Sequence, residues 1–189
     1  MTKHDEIIAC TVPLLARHGY AGTGMRTVAE AAGVQPSVIY HYFPNKEDLL
    51  RDVRTYLNHT LDEAFDQAPA VASAGELLRQ RLELNFVHME AVVALLQYFL
   101  WSKPVFVRLE DGGYVPARAY RHMSEIIERG VAEGSYVSER PDFDAKIMAH
   151  LVNGFLLEFY PHTIAKDQLS EMVEQMARFI ERSLMREAA

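Results

Sequence analysis

The sequence predicts an all-α protein, on three observations. Apolar residues recur at the helical 3.6-residue period along the 189-residue chain, with no long run of period-two alternation. The segments marked this way are closed by Gly or Pro, the residues that end helices. Hydrophobic residues make up 49% and charged residues 24%, the balance of a folded globular chain rather than a disordered acidic one.

The first helix is expected over 3–18. Ile7, Ile8, Thr11, Leu14, Leu15 and His18 share a stripe, and Gly19 closes it. Pro13 lies inside and deletes one backbone hydrogen bond, so a kink is expected there. A short helix follows over 25–32, with Val28, Ala29 and Ala32 inward and Gly33 at its end. Pro36 suits the first turn of the next helix, where a missing N–H leaves nothing unpaired. That helix carries Ile39, Tyr40 and Phe43 and stops before Pro44. Asn45 with Asp48 three residues on is a variant capping box. It opens a long helix to Asp66, with Leu49, Leu50, Val53, Leu57, Thr60, Leu61 and Phe65 on its buried face. At about 1.5 Å per residue this helix spans roughly 31 Å.

The stretch 67–74, QAPAVASA, is the best boundary candidate. Ser73 and Glu76 form another capping-box pattern, opening a helix to about Trp101 with a break near Glu90. Lys103-Pro104 and Gly112-Gly113 bracket a loop. Further helices are expected over 114–133, 142–160 and 167–186, separated by Gly134 and Pro161.

Composition excludes several classes. No apolar run approaches the ~18–20 residues needed to cross a bilayer, and the polar start Met1–Glu6 has no signal-peptide pattern. Both point to a cytoplasmic protein with no membrane partner. A single cysteine, Cys10, excludes an internal disulfide and a multi-cysteine zinc site; it falls on the buried stripe of the first helix and reads as packing. No H-E-x-x-H pair, glycine-rich phosphate loop after a strand or G-x-S-x-G elbow is present. The chain therefore reads as no enzyme, with no cofactor, no metal site and no catalytic residue. The net charge of −7 speaks weakly against nucleic acid. Its distribution is milder: residues 1–50 hold four basic and five acidic side chains, and most of the acidity lies beyond them. Local fields decide whether a phosphate backbone is attracted.

Two short helices joined by a tight turn at Gly33-Val34 have the geometry of a helix-turn-helix. Ala29 and Ala32 let the helices approach, Gly33 permits the turn, and Val34 plugs the corner. The second helix is then free to enter a DNA major groove.

The segment 19–50, GYAGTGMRTVAEAAGVQPSVIYHYFPNKEDLL, resembles the DNA-binding domain of the TetR family of transcriptional regulators. The resemblance lies in Gly19-Tyr20, Thr23, Val28-Ala29, Ala32-Gly33-Val34, Ile39-Tyr40, Tyr42-Phe43, and Lys46 with Leu49. It implies a three-helix DNA-binding domain over 1–47, joined by a long helix to a larger helical ligand-binding and dimerisation domain over 48–189. Two positions depart from the family pattern. Gly24 stands where the family often has a Ser or Thr cap, so Thr23 is expected to cap the second helix or touch a phosphate instead. Gln35-Pro36-Ser37-Val38 replaces the frequent Ser-x-Gly-Thr/Ser, so the operator sequence is not carried over.

Candidate DNA-binding residues follow. Arg26 reaches a phosphate or a guanine edge, or is a solvated charge. Thr27 is a weaker candidate beside it. Pro36, Ser37 and Val38 face the groove because Ile39 and Phe43 face in, and Val38 suits a thymine methyl. Tyr40 resembles the family's phosphate-contacting tyrosine. His41 lies next to it, a groove contact or an ordinary exposed histidine. Lys46 adds its charge to the free N–H groups opening the long helix.

The resemblance further implies a homodimer and a small effector. Leu169, Met172, Val173, Met176, Phe179 and Ile180 align on the last helix, and Ile147, Met148, Leu151, Val152, Phe155 and Phe159 on the one before. Extra apolar positions at Leu156, Leu157 and Leu184 suit a two-fold interface through these helices, although each stripe also fits a core. The candidate ligand lining is Phe86, Met89, Tyr98, Trp101, Tyr120, Met123, Ile127 and Phe155, with Asn85, His88, Gln97, His122, His150 and Asn153 as polar groups. The same stripe also fits plain core. The expected function is a ligand-responsive repressor that binds a pseudo-palindromic operator as a homodimer and is released by a small apolar or amphipathic molecule. The competing reading is a helical binding module without DNA affinity.

Overall fold

The computed structural model describes residues 2–101, 115–162 and 164–185, with the backbone alone at 101, 115–119 and 166. The described secondary structure is helical: α1 (Lys3–Gly22), α2 (Met25–Ala31), α3 (Pro36–Tyr42), α4 (Lys46–Asp66), α5 (Ala74–Val87), α6 (Met89–Trp101), α7 (Val115–Ala132), α8 (Pro141–Phe159) and α9 (Lys166–Leu184). The loop expected between Lys103-Pro104 and Gly112-Gly113, the start at Tyr114 and the end at Arg186 lie outside the described residues. These helices divide into two compact units: one holds α1–α4 with α6, the other α5 with α7–α9. Along the chain the first unit is left after Asp66 and re-entered at His88, so α5 and α6 fall in different units. Within the first unit, α4 and α6 pack on α1 and on each other.

In the first unit, α1 opens on a full capping box. The Thr2 hydroxyl accepts from the Asp5 N–H at 3.2 Å, and the Asp5 carboxylate accepts from the Thr2 N–H at 2.9 Å. The helix departs from expectation in two places. Pro13 keeps helical dihedrals, its fixed φ being compatible with a helix. The departure falls at Gly19, with φ 64° and ψ −175°, and a short helical piece continues to Gly22. The buried face is also shifted from expectation: Ile7, Ile8, Thr11 and Leu15 are buried together with Val12 and Ala16, while Leu14 is half-buried and His18 is exposed. Cys10 is half-buried rather than buried. Thr11 tolerates burial because its hydroxyl donates to the Ile7 carbonyl at 2.7 Å. Leu49, Leu50, Val53, Leu57 and Phe65 of α4 are buried as the period requires, with Thr60 and Leu61 half-buried. On α6, Val92, Val93, Ala94 and Leu95 are buried, and this helix packs on both α1 and α4.

The expected break in the helix after Ser73 falls at His88, between α5 and α6. Ser73 caps α5, accepting from the Glu76 N–H at 3.2 Å, while the Glu76 carboxylate accepts from the Ala72 N–H at 2.8 Å. In the second unit, α5 packs on α7 and α9, and α7 packs on α8. After α7, Tyr136 is laid against Gly130 so closely that a Cβ there would lie 1.9 Å from Tyr136 Cδ2. Only glycine admits the ring at that position. The Val137 N–H then donates to the Leu184 carbonyl at 2.7 Å, fastening this turn to the end of α9.

Candidate nucleic-acid interface

The turn between α2 and α3 is a Schellman motif. Gly33 has φ 65°; its N–H donates to the Glu30 carbonyl at 3.1 Å, and the Val34 N–H donates to the Ala29 carbonyl at 3.0 Å. This pairing satisfies carbonyls that the end of α2 leaves open. Val28 and Ala29 are buried and Ala32 is half-buried, so the two helices meet on small side chains. Pro36 opens α3 in its first turn, and the Phe43 N–H closes it on the Ile39 carbonyl at 2.8 Å.

Ile39 and Phe43 are fully buried, each contributing about 1.5–3 kcal/mol of burial. They fix the roll of α3. Pro36, Ser37, Tyr40 and His41 are then exposed and Val38 half-exposed, with Tyr40 53% accessible. Arg26 is exposed on α2 and Thr27 half-exposed beside it. Thr23 does not cap α2 and does not reach outward. It is buried, and its hydroxyl donates to the Gly19 carbonyl at 2.8 Å. Gly24 holds the N-cap position in extended conformation, without a side-chain bond.

Lys46, at the start of α4, is half-buried. Its Nζ donates to the Tyr20 carbonyl and lies 4.1 Å from the centre of the Tyr20 ring. Burial pushes its ammonium below the ordinary lysine value, partly offset by Glu47. The Tyr20 hydroxyl donates to Glu47 Oε1 at 3.0 Å. Burial, then this bond, raises the phenol above its ordinary value. The Asn45 side chain accepts from the Asp48 N–H at 2.9 Å and donates to the Asp48 carboxylate at 2.8 Å. The expected cap is therefore made, with its return bond going to the side chain. Tyr20 belongs to the Gly-aromatic start of the motif, yet periodicity gives no sign of its hold on Lys46 and Glu47.

The candidate ligand residues fall in both units. Phe86, Met123 and Ile127 are buried in the second unit. Tyr120 is half-buried there, its hydroxyl 3.4 Å from His150 Nδ1. Met89 and Tyr98 are half-buried in the first unit, with Arg54 over the Tyr98 ring at 5.8 Å. The Trp101 side chain lies outside the described residues. Phe155 lines an open apolar groove of about 860 Å³ between α8 and α9, with Leu151, Phe159, Met172, Met176 and Phe179. Among the described residues, no three His, Cys, Asp or Glu side chains cluster as metal ligands, and no helix is long and apolar enough to cross a membrane.

Comparison with known proteins matches this geometry to a family. Residues 7–53 match the model of bacterial regulatory proteins of the tetR family. A fatty acid metabolism regulator protein of Bacillus subtilis is 42% identical over 179 residues, covering 90% of this chain and 88% of that protein. The HTH-type transcriptional repressor KstR2 of Mycobacterium tuberculosis is 23% identical over 158 residues, covering 80% and 76%. A solved tetR-family regulatory protein from Rhodococcus RHA1 has the same fold, with a TM-score of 0.73 at 18% identity over the whole of both chains. The exposed face of α3, carried on a Schellman turn and a buried Ile39–Phe43 pair, is thus the helix-turn-helix of a chain that belongs to the TetR family of transcriptional regulators.

Proposed function

We propose that the chain is an effector-responsive repressor that binds a pseudo-palindromic operator as a homodimer. One observation carries the DNA reading. Buried Ile39 and Phe43 turn Ser37, Val38, Tyr40 and His41 outward on a short helix, the geometry for reading a major groove. Pro36, Ser37 and Val38 face the bases, while Arg26, Thr27, Tyr40, His41 and Lys46 serve the flanking phosphates. Phosphate contacts position the protein and base contacts specify the sequence.

The dimer forms through α8 and α9. Their groove is apolar and open, and Phe179 and Ile147 are 62% and 50% exposed. An exposed apolar surface of this kind marks an interaction site, and a second copy of these helices fills it with matching chemistry. Phe155, a candidate ligand contact, is assigned to this interface.

The effector is an amphipathic molecule with a long apolar chain. The support is the name of the 42% identical relative, a fatty acid metabolism regulator, together with the apolar candidates Phe86, Tyr120, Met123 and Ile127. Effector binding lowers operator affinity by favouring the state that does not bind DNA. A tenfold loss corresponds to about 1.4 kcal/mol of coupling. The test is operator affinity measured against fatty acids of graded chain length. Release that strengthens with chain length supports the reading, whereas unchanged affinity with every acid contradicts the effector assignment.

A further inference from the structure

The first turn of α4 places opposite charges side by side, Lys46 and Glu47. A helix N-terminus attracts a phosphate through its free N–H groups. A cation there adds to the attraction, and a mobile carboxylate opposes it. Tyr20 touches both. Its carbonyl accepts from Lys46 Nζ, its ring lies under the same ammonium at 4.1 Å, and its hydroxyl donates to Glu47 Oε1 at 3.0 Å.

Tyr20 is itself held in place. It follows the left-handed Gly19, and the Thr23 N–H reaches the Gly19 and Tyr20 carbonyls at 3.2 and 3.4 Å. The buried Thr23 hydroxyl ties down Gly19 as well. Lys46 carries three donor hydrogens. The Tyr20 carbonyl takes one, which leaves two for a phosphate.

We propose that Tyr20 is the positioning residue of the phosphate contact: its carbonyl and ring hold Lys46 at the first turn of α4, while its hydroxyl binds Glu47 and keeps that carboxylate off the operator backbone. This inference rests on the operator-binding reading above. It gives a role to the aromatic residue of the Gly19-Tyr20 pair and accounts for Glu47; the other carboxylate of this turn, Asp48, is held by Asn45 at 2.8 Å and Arg51 at 2.7 Å.

The experiment measures operator affinity as a function of salt for the full-length protein and five variants: Tyr20→Phe, Tyr20→Leu, Lys46→Gln, Tyr20→Leu with Lys46→Gln, and Tyr20→Phe with Glu47→Gln. Losing one phosphate contact from each head of a dimer lowers the salt slope by about 1.8, at ~0.9 per contact. Tyr20→Leu keeps the backbone carbonyl and removes the ring, so its slope is expected to fall by part of that amount; Lys46→Gln loses all of it, and the double variant has the slope of Lys46→Gln. Tyr20→Phe keeps the ring and the slope but binds several-fold more weakly, and Glu47→Gln in the same chain restores binding. A wild-type slope in Tyr20→Leu, or a slope in the double variant that falls further than in Lys46→Gln, overturns the proposal. Thermal melting checks folding. If Tyr20→Leu does not fold, the Tyr20→Phe loss and its rescue decide, and absence of either overturns the proposal. Wild-type protein that binds no DNA contradicts the operator reading itself; wild-type binding with unaffected variants contradicts only the role of Tyr20.

Discussion

Arg79 on α5 and Glu174 on α9 meet as a two-toothed ion pair, Nε to Oε2 at 2.8 Å and Nη2 to Oε1 at 3.3 Å. Glu181, two turns further along α9, takes the other edge of the guanidinium at 2.8 and 3.1 Å. Arg79, then Arg178, holds the Glu174 carboxyl down at about 2. A depressed folded-state value means the stabilisation is complete above the ordinary value of 4.5 and is lost as pH falls towards 2. The melting temperature of the wild-type protein is therefore expected to fall between these pH values more steeply than that of Arg79→Met, which lacks the main partner. Parallel pH profiles for the two proteins contradict the assignment. The pair is part-exposed, and added salt should shrink the difference.

Gly33→Ala tests the turn. Its φ of 65° is left-handed, and a Cβ there meets nothing within 4 Å among the described residues. The penalty is therefore conformational, about 1–2 kcal/mol. Denaturant unfolding is expected to show that loss with an unchanged slope. A neutral substitution would mean that the backbone at this turn relaxes.

Fold and contact separate on α3. Ile39→Ala empties a fully buried site and is expected to destabilise the head by about 2–5 kcal/mol. Tyr40→Ala removes an exposed ring and should stay within ~0.5 kcal/mol of wild type. Operator affinity should nonetheless fall with Tyr40→Ala. Equilibrium unfolding and DNA titration of both variants, read together, check the pair. Full operator affinity in Tyr40→Ala contradicts the phosphate role.

The groove between α8 and α9 makes its own prediction. Glutamate at Phe179 and Ile147 places charge on exposed apolar positions, where burial against a second copy is unfavourable without a partner. Sedimentation is expected to show a dimer for wild type and a monomer for the double variant, with helical content retained. An intact dimer in the variant places the interface elsewhere.

The legible parts of the sequence are those with local chemistry. Gly33 after Ala29 and Ala32 announces the turn because a left-handed residue and a close helix approach both demand small side chains. Asn45 and Asp48 announce α4 because capping reaches only three residues. Thr23 differs from expectation because the same residue type serves as cap, phosphate contact or buried donor to a carbonyl, and only the Gly19 backbone decides which. The Pro13 kink failed for a related reason: proline's φ already fits a helix, whereas Gly19 tolerates the left-handed break. The ties of Arg79 span 95 and 102 residues. Charged residues at such separations leave no periodic trace, so the sequence is silent about them. The hold of Tyr20 on Lys46 is hidden in the same way.

The central claim is operator recognition by a two-fold dimer. The most direct test is selection of bound sequences from a random DNA pool by the purified protein at near-physiological salt, where non-specific phosphate binding is suppressed. The expected result is an enriched inverted repeat with half-sites one helical turn apart, or a multiple of it. Recovery of unenriched DNA by verified folded protein, with and without fatty acids present, would contradict the claim and favour a helical binding module without DNA affinity.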